Sequence, residues 1–129
     1  MTLIITPIYT ALITLIFLTL SARVILYRRA NRISLGDTGD KNLLKRMRAQ
    51  ANCAEYAPLG ILLLAMTELN AAPTVALHAL GLALLLGRLL HAIGFGATPQ
   101  NFTLRQIGMV LTLTMIAVSA LGLLAHALL

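Results

Sequence analysis

Long apolar runs separated by short polar ones set the pattern of this chain. Residues 2–22, 49–67, 71–94 and 106–129 are dominated by aliphatic side chains, and the first and last of these runs contain no charged residue. Each approaches the ~20 residues that cross a hydrocarbon core about 30 Å thick at about 1.5 Å rise per residue. None alternates apolar and polar with period two, which argues against a membrane β-barrel. Backbone groups in lipid must be satisfied within their own segment, which leaves helices. The pattern predicts an all-α membrane protein, a four-transmembrane-helix bundle, with residues 1–129 as a single domain.

Local signals refine the elements. The opening stretch "MTLIITPIYTALITLIFLTLSAR" has no basic residue ahead of its apolar run. That run also exceeds the ~7–15 residues of a signal-peptide core, so a retained helix is expected, with Pro7 tolerated in its first turns. Asp40 suits the N-cap of a second helix that starts near Lys41, runs past Glu55 and bends at Pro58. Pro73 opens the third helix at a first-turn position, and "GATPQNFT" breaks the chain before the fourth. Small residues at four-residue spacing, Ala79, Ala83 and Gly87 on one helix and Ala49, Cys53 and Ala57 on another, form candidate contact ridges. Cys53 reads there as a small packing residue.

Composition and charge add a direction. The chain is 59% hydrophobic and 11% charged, with a formal net charge of +6. Mean hydropathy is +0.89, far above the soluble range. Seven of the ten Lys and Arg residues lie between Arg28 and Arg48, with Arg23 just before them. The connection "ELNAAPT" has none, and neither terminus has any. Basic residues stay on the cytoplasmic side, so loops 23–48 and 95–105 are expected inside and both termini outside. A nucleic-acid surface would need aromatic or base-reading neighbours, and "YRRANRISLGDTGDK" offers one tyrosine; no nucleic-acid partner is expected. The single cysteine precludes an internal disulfide. His78, His91 and His126 are expected on separate helices or turns, no Cys/His spacing suits zinc, and no metal site is expected.

The chemistry concentrates on one helix face. At roughly 100° per residue, Lys45, Arg48, Asn52, Glu55 and Tyr56 share an arc of about 100°, whereas Arg46 and Gln50 point away from it. Arg88, His91 and Phe95 occupy a second narrow arc, and Arg105 begins the fourth helix on the same side of the membrane. A structural network pairing Glu55 with Arg48 or Arg88 is one reading. For Arg23, Arg28, Arg29 and Arg46, heads that reach the lipid headgroups suffice. One glutamate cannot neutralise Lys45, Arg48, Arg88 and Arg105 together, however, and intramembrane ionisable groups point to a functional site. A small zwitterion with more carboxylates than amines fits such a stripe, its carboxylates on the arginines and its ammonium on Glu55. Glutathione has that charge pattern, although geometry alone does not single it out.

The runs "RAQANCAEYAPL" and "GRLLHAIGF", with "GDTGD", "ARV" and a late arginine before an apolar fourth helix, resemble the MAPEG family, the membrane-associated proteins in eicosanoid and glutathione metabolism, in its bacterial branch. The resemblance spans essentially the whole chain. It implies a homotrimer of four-helix subunits in a cell inner membrane, with glutathione bound as co-substrate between neighbours near the cytoplasmic side. Arg48, Asn52, Glu55 and Tyr56 match the family's glutathione-binding motif, and Gln50 matches a polar contact of some members. Arg88 and His91 match the helix-three motif, Arg23 aligns with a binding arginine at the end of helix one, and Arg105 stands where an arginine stabilises the glutathione thiolate. Implied activities are conjugation of glutathione to lipophilic electrophiles, reduction of lipid hydroperoxides, or isomerisation of lipid endoperoxides. Phe95 replaces a tyrosine of several eukaryotic members, and Gln106 replaces a serine. The alternative is a non-catalytic trimer that binds a lipid or a protein partner. A four-helix exporter ranks last, because residues 1–22 lack the buried acid that proton coupling would use.

Overall fold

The computed structural model describes residues 2–129 and contains four helices: α1 (Ile5–Asn31), α2 (Lys41–Leu69), α3 (Thr74–Gly96) and α4 (Phe102–Leu128). Three of them, α1, α3 and α4, are long and apolar enough to cross a membrane. α2 is longer, at 29 residues, but less apolar, because it carries the polar stripe. It packs against all three others, whereas α1 meets only α2 and α3 among the described residues.

Two boundaries differ from the sequence pattern. α1 continues about two and a half turns past the end of its apolar run, through Arg23, Arg28 and Arg29, because nothing in that stretch breaks a helix until Arg32 adopts a left-handed φ of 55°. The first connection is therefore short, and most of the expected basic loop is helix. α4 starts earlier than its apolar run, at Phe102, where Asn101 accepts the Leu104 amide at 3.1 Å. His78 and His91 share α3 instead of occupying separate elements. Pro73 stands at the N-cap of α3, one residue outside the helix.

Asp40 caps α2 as expected, accepting the Asn42 and Leu43 amides at 2.9 and 3.1 Å. Tyr27 donates its hydroxyl to the same carboxylate at 2.8 Å, tying the end of α1 to the start of α2. The Tyr27 hydroxyl, and then the Leu43 amide, hold the Asp40 carboxyl below its ordinary range.

At the opposite end, α1 has no capping side chain of its own. Glu68, from the last turn of α2, supplies it: its carboxylate accepts the Ile4, Ile5 and Thr6 amides at 2.7, 2.8 and 2.7 Å. An anion facing the first amides of a helix satisfies them and complements the helix dipole. Glu68→Ala is expected to lower unfolding stability in detergent by about 1–2 kcal/mol, toward the lower end because the carboxylate is partly exposed. Glu68→Gln, which keeps one acceptor, should recover part of it. Equal melting temperatures for all three proteins would remove this role.

Small residues let the helices approach. Ala49, Cys53 and Ala57 lie buried along α2, and Gly60 and Leu64 continue that ridge. On α3 the expected ridge is kept only in part: Ala79 is exposed and Ala83 half-buried, whereas Gly87 packs closely against α4 as expected, joined there by Gly94. Arg88, His91 and Phe95 of the α3 sequence motif share that buried face, which turns Ala79 outward.

Candidate functional site

The α2 stripe divides by depth. Asn52 and Tyr56 are half-buried, whereas Arg48 and Glu55 are exposed on the outer face of the bundle. The flanking groups are already occupied. Lys45 donates Nζ to the Ala97 carbonyl and to Thr98 Oγ1, both at 3.1 Å, bridging α2 to the end of α3. Arg46 donates to the Asn42 carbonyl and lies 4.4 Å over the Tyr27 ring. Gln50 donates to Ser21 Oγ on α1 at 2.9 Å, off the stripe, as its helical phase requires.

Arg88 is the most deeply placed charge, at 1% exposure. Its Nε donates to Thr112 Oγ1 at 3.1 Å, its Nη1 to the side chain and main chain of Asn52, and its Nη2 faces Met109 Sδ at 3.2 Å. The Tyr56 ring centre is 5.8 Å from its Cζ. One guanidinium thus joins α2, α3 and α4 through neutral acceptors. Its partners are not acidic, so the pairing of Glu55 with Arg88 considered from sequence is not formed. Removing an acceptor from such a group leaves a buried charge short of hydrogen bonds, which is expensive. His91, one turn further along and equally buried, packs against Phe95 with ring centres 5.4 Å apart.

Arg105 is held differently. Its guanidinium carbon lies 3.9 Å over the Phe95 ring and 5.2 Å from the Phe102 ring centre. Nη1 donates to Gln100 Oε1, five residues earlier, and Nε is buried without a hydrogen-bond partner. Stacking and one hydrogen bond fix the plane of the fork while leaving donor capacity unused. Gly94 makes this placement possible, because a Cβ there would lie 2.8 Å from the Arg105 amide nitrogen. Phe95, where a tyrosine would offer a hydroxyl, serves here as the platform for Arg105.

Arg23 lines a narrow recess between α1, α2 and α3, together with Lys45, Arg46, Phe95 and Gly96. The structure therefore brings Arg88, Asn52 and Tyr56 together, places Arg105 on Phe95 beside His91, gathers Arg23 with Lys45 and Arg46, and leaves Arg48 and Glu55 on an open face. Thr112, Met109 and Gln100 were not among the residues singled out from sequence. Thr112 and Met109 become visible only when α4 is laid on α3. Gln100 had a local clue, since it precedes the Asn101 cap in the break that leads into Arg105.

Chemically, the arrangement offers a fixed guanidinium with a spare donor, a half-buried amide and phenol aligned from behind by Arg88, and an exposed cation–carboxylate pair of positions on one helix face. Such a set is suited to a polar, multiply charged ligand that enters from the end of the bundle carrying the basic residues.

Comparison with known proteins agrees with this architecture. The MAPEG family model matches residues 6–125. Two curated relatives match as well, each described as inner membrane protein YecN, from Escherichia coli strain K12 and from Escherichia coli O6:H1 strain CFT073. Each is 34% identical over 105 residues, covering 81% of this chain and 79% of the relative. With nearly the full set of helices inside the matched region, the chain belongs to the MAPEG family.

Proposed function

We propose that the protein is a glutathione-binding integral membrane enzyme that conjugates glutathione to lipophilic electrophiles or reduces lipid hydroperoxides through a thiolate stabilised by Arg105. The observation that carries this reading is the state of Arg105: oriented by Phe95 and Gln100, buried at Nε, and with Nη2 making no hydrogen bond among the described residues. A thiol with a pKa of about 8.5 is only a few per cent ionised at neutral pH, so a guanidinium at hydrogen-bond distance is the simplest device for activating it.

In this reading Arg48 and Arg23 bind the carboxylates, Glu55 takes the ammonium, and Asn52, Tyr56 and Gln50 position the peptide bonds. Arg88 and His91 act from behind by fixing Asn52 and Phe95. The lipophilic partner arrives through the bilayer while glutathione enters from the cytoplasm. α2 serves as the fourth span, both termini face outward, and the whole of residues 1–129 forms one domain. The exposure of Arg48 and Glu55 supports assembly as a homotrimer, since charges facing lipid are costly and a neighbouring subunit would cover them. The name of the Escherichia coli relatives supports an inner-membrane location. The other reading, a non-catalytic trimer that binds a lipid or protein, draws on the saturation of Arg88 by neutral groups, which gives that residue a structural task.

Calorimetric titration of the detergent-purified protein with glutathione separates the two. Saturable binding is expected, weakened at least about tenfold by Arg48→Ala or by Glu55→Ala, equivalent to about 1.4 kcal/mol or more. An absence of heat and of competition at millimolar glutathione would exclude the enzyme.

A further inference from the structure

The end of α1 holds a basic pocket that the glutathione reading does not use. At Arg32 the chain turns left-handed, and the Ile33 amide donates back to the Arg28 carbonyl at 3.0 Å. This closure folds the chain over the last helical turn. It brings Ile33 and Ser34 beside Ile25, Arg28, Arg29 and Arg32 around an open cavity of about 440 Å³.

The cations there are unevenly restrained. Arg28 is tied to the loop, with Nη1 donating to the Gly36 carbonyl at 2.8 Å and Nη2 facing Met47 Sδ at 3.3 Å. Arg29 and Arg32 are exposed. No acidic residue lines the cavity among the described residues. The neighbouring acids are engaged elsewhere: Asp37 accepts the Gly39 amide at 2.9 Å, and Asp40 holds Tyr27 and the start of α2. Three guanidinium groups thus converge without an internal anion.

The rim says which anion fits. Ile25 and Ile33 line the cavity, and Ile25 is 54% exposed, so apolar surface lies directly beside the cations. The pocket also ends a helix apolar enough to cross a membrane. A soluble anion would gain nothing from that apolar rim. A nucleic acid would want a free stacking ring, and the local tyrosine, Tyr27, lies beneath Arg46. A phospholipid satisfies both halves, with phosphate oxygens for guanidinium forks and acyl chains for the Ile25 and Ile33 side chains. We infer that the cavity formed by Arg28, Arg29, Arg32, Ile25 and Ile33 binds the headgroup phosphate of an anionic phospholipid from the surrounding leaflet. This site is separate from the glutathione site and stands or falls without it.

Native mass spectrometry of the full-length protein, exchanged from detergent containing equal amounts of phosphatidylglycerol and phosphatidylcholine, tests the inference. Phosphatidylglycerol adducts are expected to be retained in preference to phosphatidylcholine adducts. Arg29→Gln combined with Arg32→Asn is expected to reduce that retention about tenfold, asparagine being chosen because it tolerates the left-handed backbone. If the double variant does not fold, Arg29→Gln alone, at an exposed side chain, should still lower retention severalfold. Lys41→Gln removes one charge from the first residue of α2, outside the cavity, and should leave retention unchanged. Equal retention of the two lipids, or an equal loss from Lys41→Gln and Arg29→Gln, overturns the site in favour of diffuse attraction. A glutathione titration unaltered by Arg29→Gln, expected here, keeps this outcome distinguishable from failure of the enzyme reading.

Discussion

Arg105→Ala is expected to bind glutathione nearly as well as the wild type while leaving the bound thiol protonated. Ionising most of a thiol at neutral pH requires its pKa to fall by about 2 units from about 8.5, or about 3 kcal/mol of preference for the anion. One charge-assisted hydrogen bond in a site screened from water supplies energy of that order. The Nη groups of Arg105, which hold only Gln100 Oε1 at Nη1, are the donors placed to give it. The sign follows directly: a lowered thiol pKa keeps the thiolate present at neutral pH and loses it as pH falls through the lowered value. In the alanine variant the midpoint should move up by about 2 units, and the thiolate fraction at pH 7 should drop by about tenfold or more. Ultraviolet absorption of the bound thiolate, followed against pH, reads both. Arg105→Lys, a point charge without the fork that lies flat on Phe95, should fall between them. A wild-type midpoint equal to that of free glutathione would deprive Arg105 of this role.

Gly108→Ala is expected to be the most damaging of the small substitutions. A Cβ at Gly108 would lie 2.6 Å from the Gly87 carbonyl oxygen and 2.6 Å from the His91 amide nitrogen, and both are backbone atoms that cannot swing aside. Gly87 stands in the reciprocal position, its own Cβ falling 2.9 Å from the Gly108 carbonyl oxygen. Each glycine is therefore the slot for the other helix. Forcing α3 and α4 apart would also stretch the 3.1 Å bond from Arg88 to Thr112, which crosses the same seam. The cost should reach about 3 kcal/mol, at the upper end of what overpacking does. Gly122→Ala gives the contrast, because a Cβ there meets nothing within 4 Å. It should be neutral, or stabilising by up to about 1 kcal/mol through helix propensity. Denaturant unfolding of the two variants side by side would settle the matter, and equal stabilities would mean that the seam yields.

Much of this was legible along the chain because it is locally encoded. Apolar run length located the four helices, Asp40 announced the start of α2, and helical phase gathered Arg48, Asn52, Glu55 and Tyr56 on one face while sending Gln50 toward α1. The missed features depend on partners distant in sequence. Glu68 looked like part of a plain polar turn, since nothing near it shows that its carboxylate closes the start of α1. The partners that hold Arg88, Thr112 on α4 and Asn52 on α2, could be assigned to it only once the helices were packed. The length of α1 was hidden for another reason: hydropathy records where lipid ends, and a helix with a basic face has no cause to end there. Of the glycine seam, four-residue spacing marked Gly87 on α3 but not Gly94 or Gly108, because it ran back through Ala79 and Ala83, which turn away from α4.

The clasp between Glu68 and α1 also bears on how the chain is made. The amides at the head of the first helix take an acceptor that lies 62 to 64 residues downstream, so they depend on water until the second helix has been synthesised and threaded back beside the first. The first helix is thus completed by the arrival of the second, and the two mature as a hairpin.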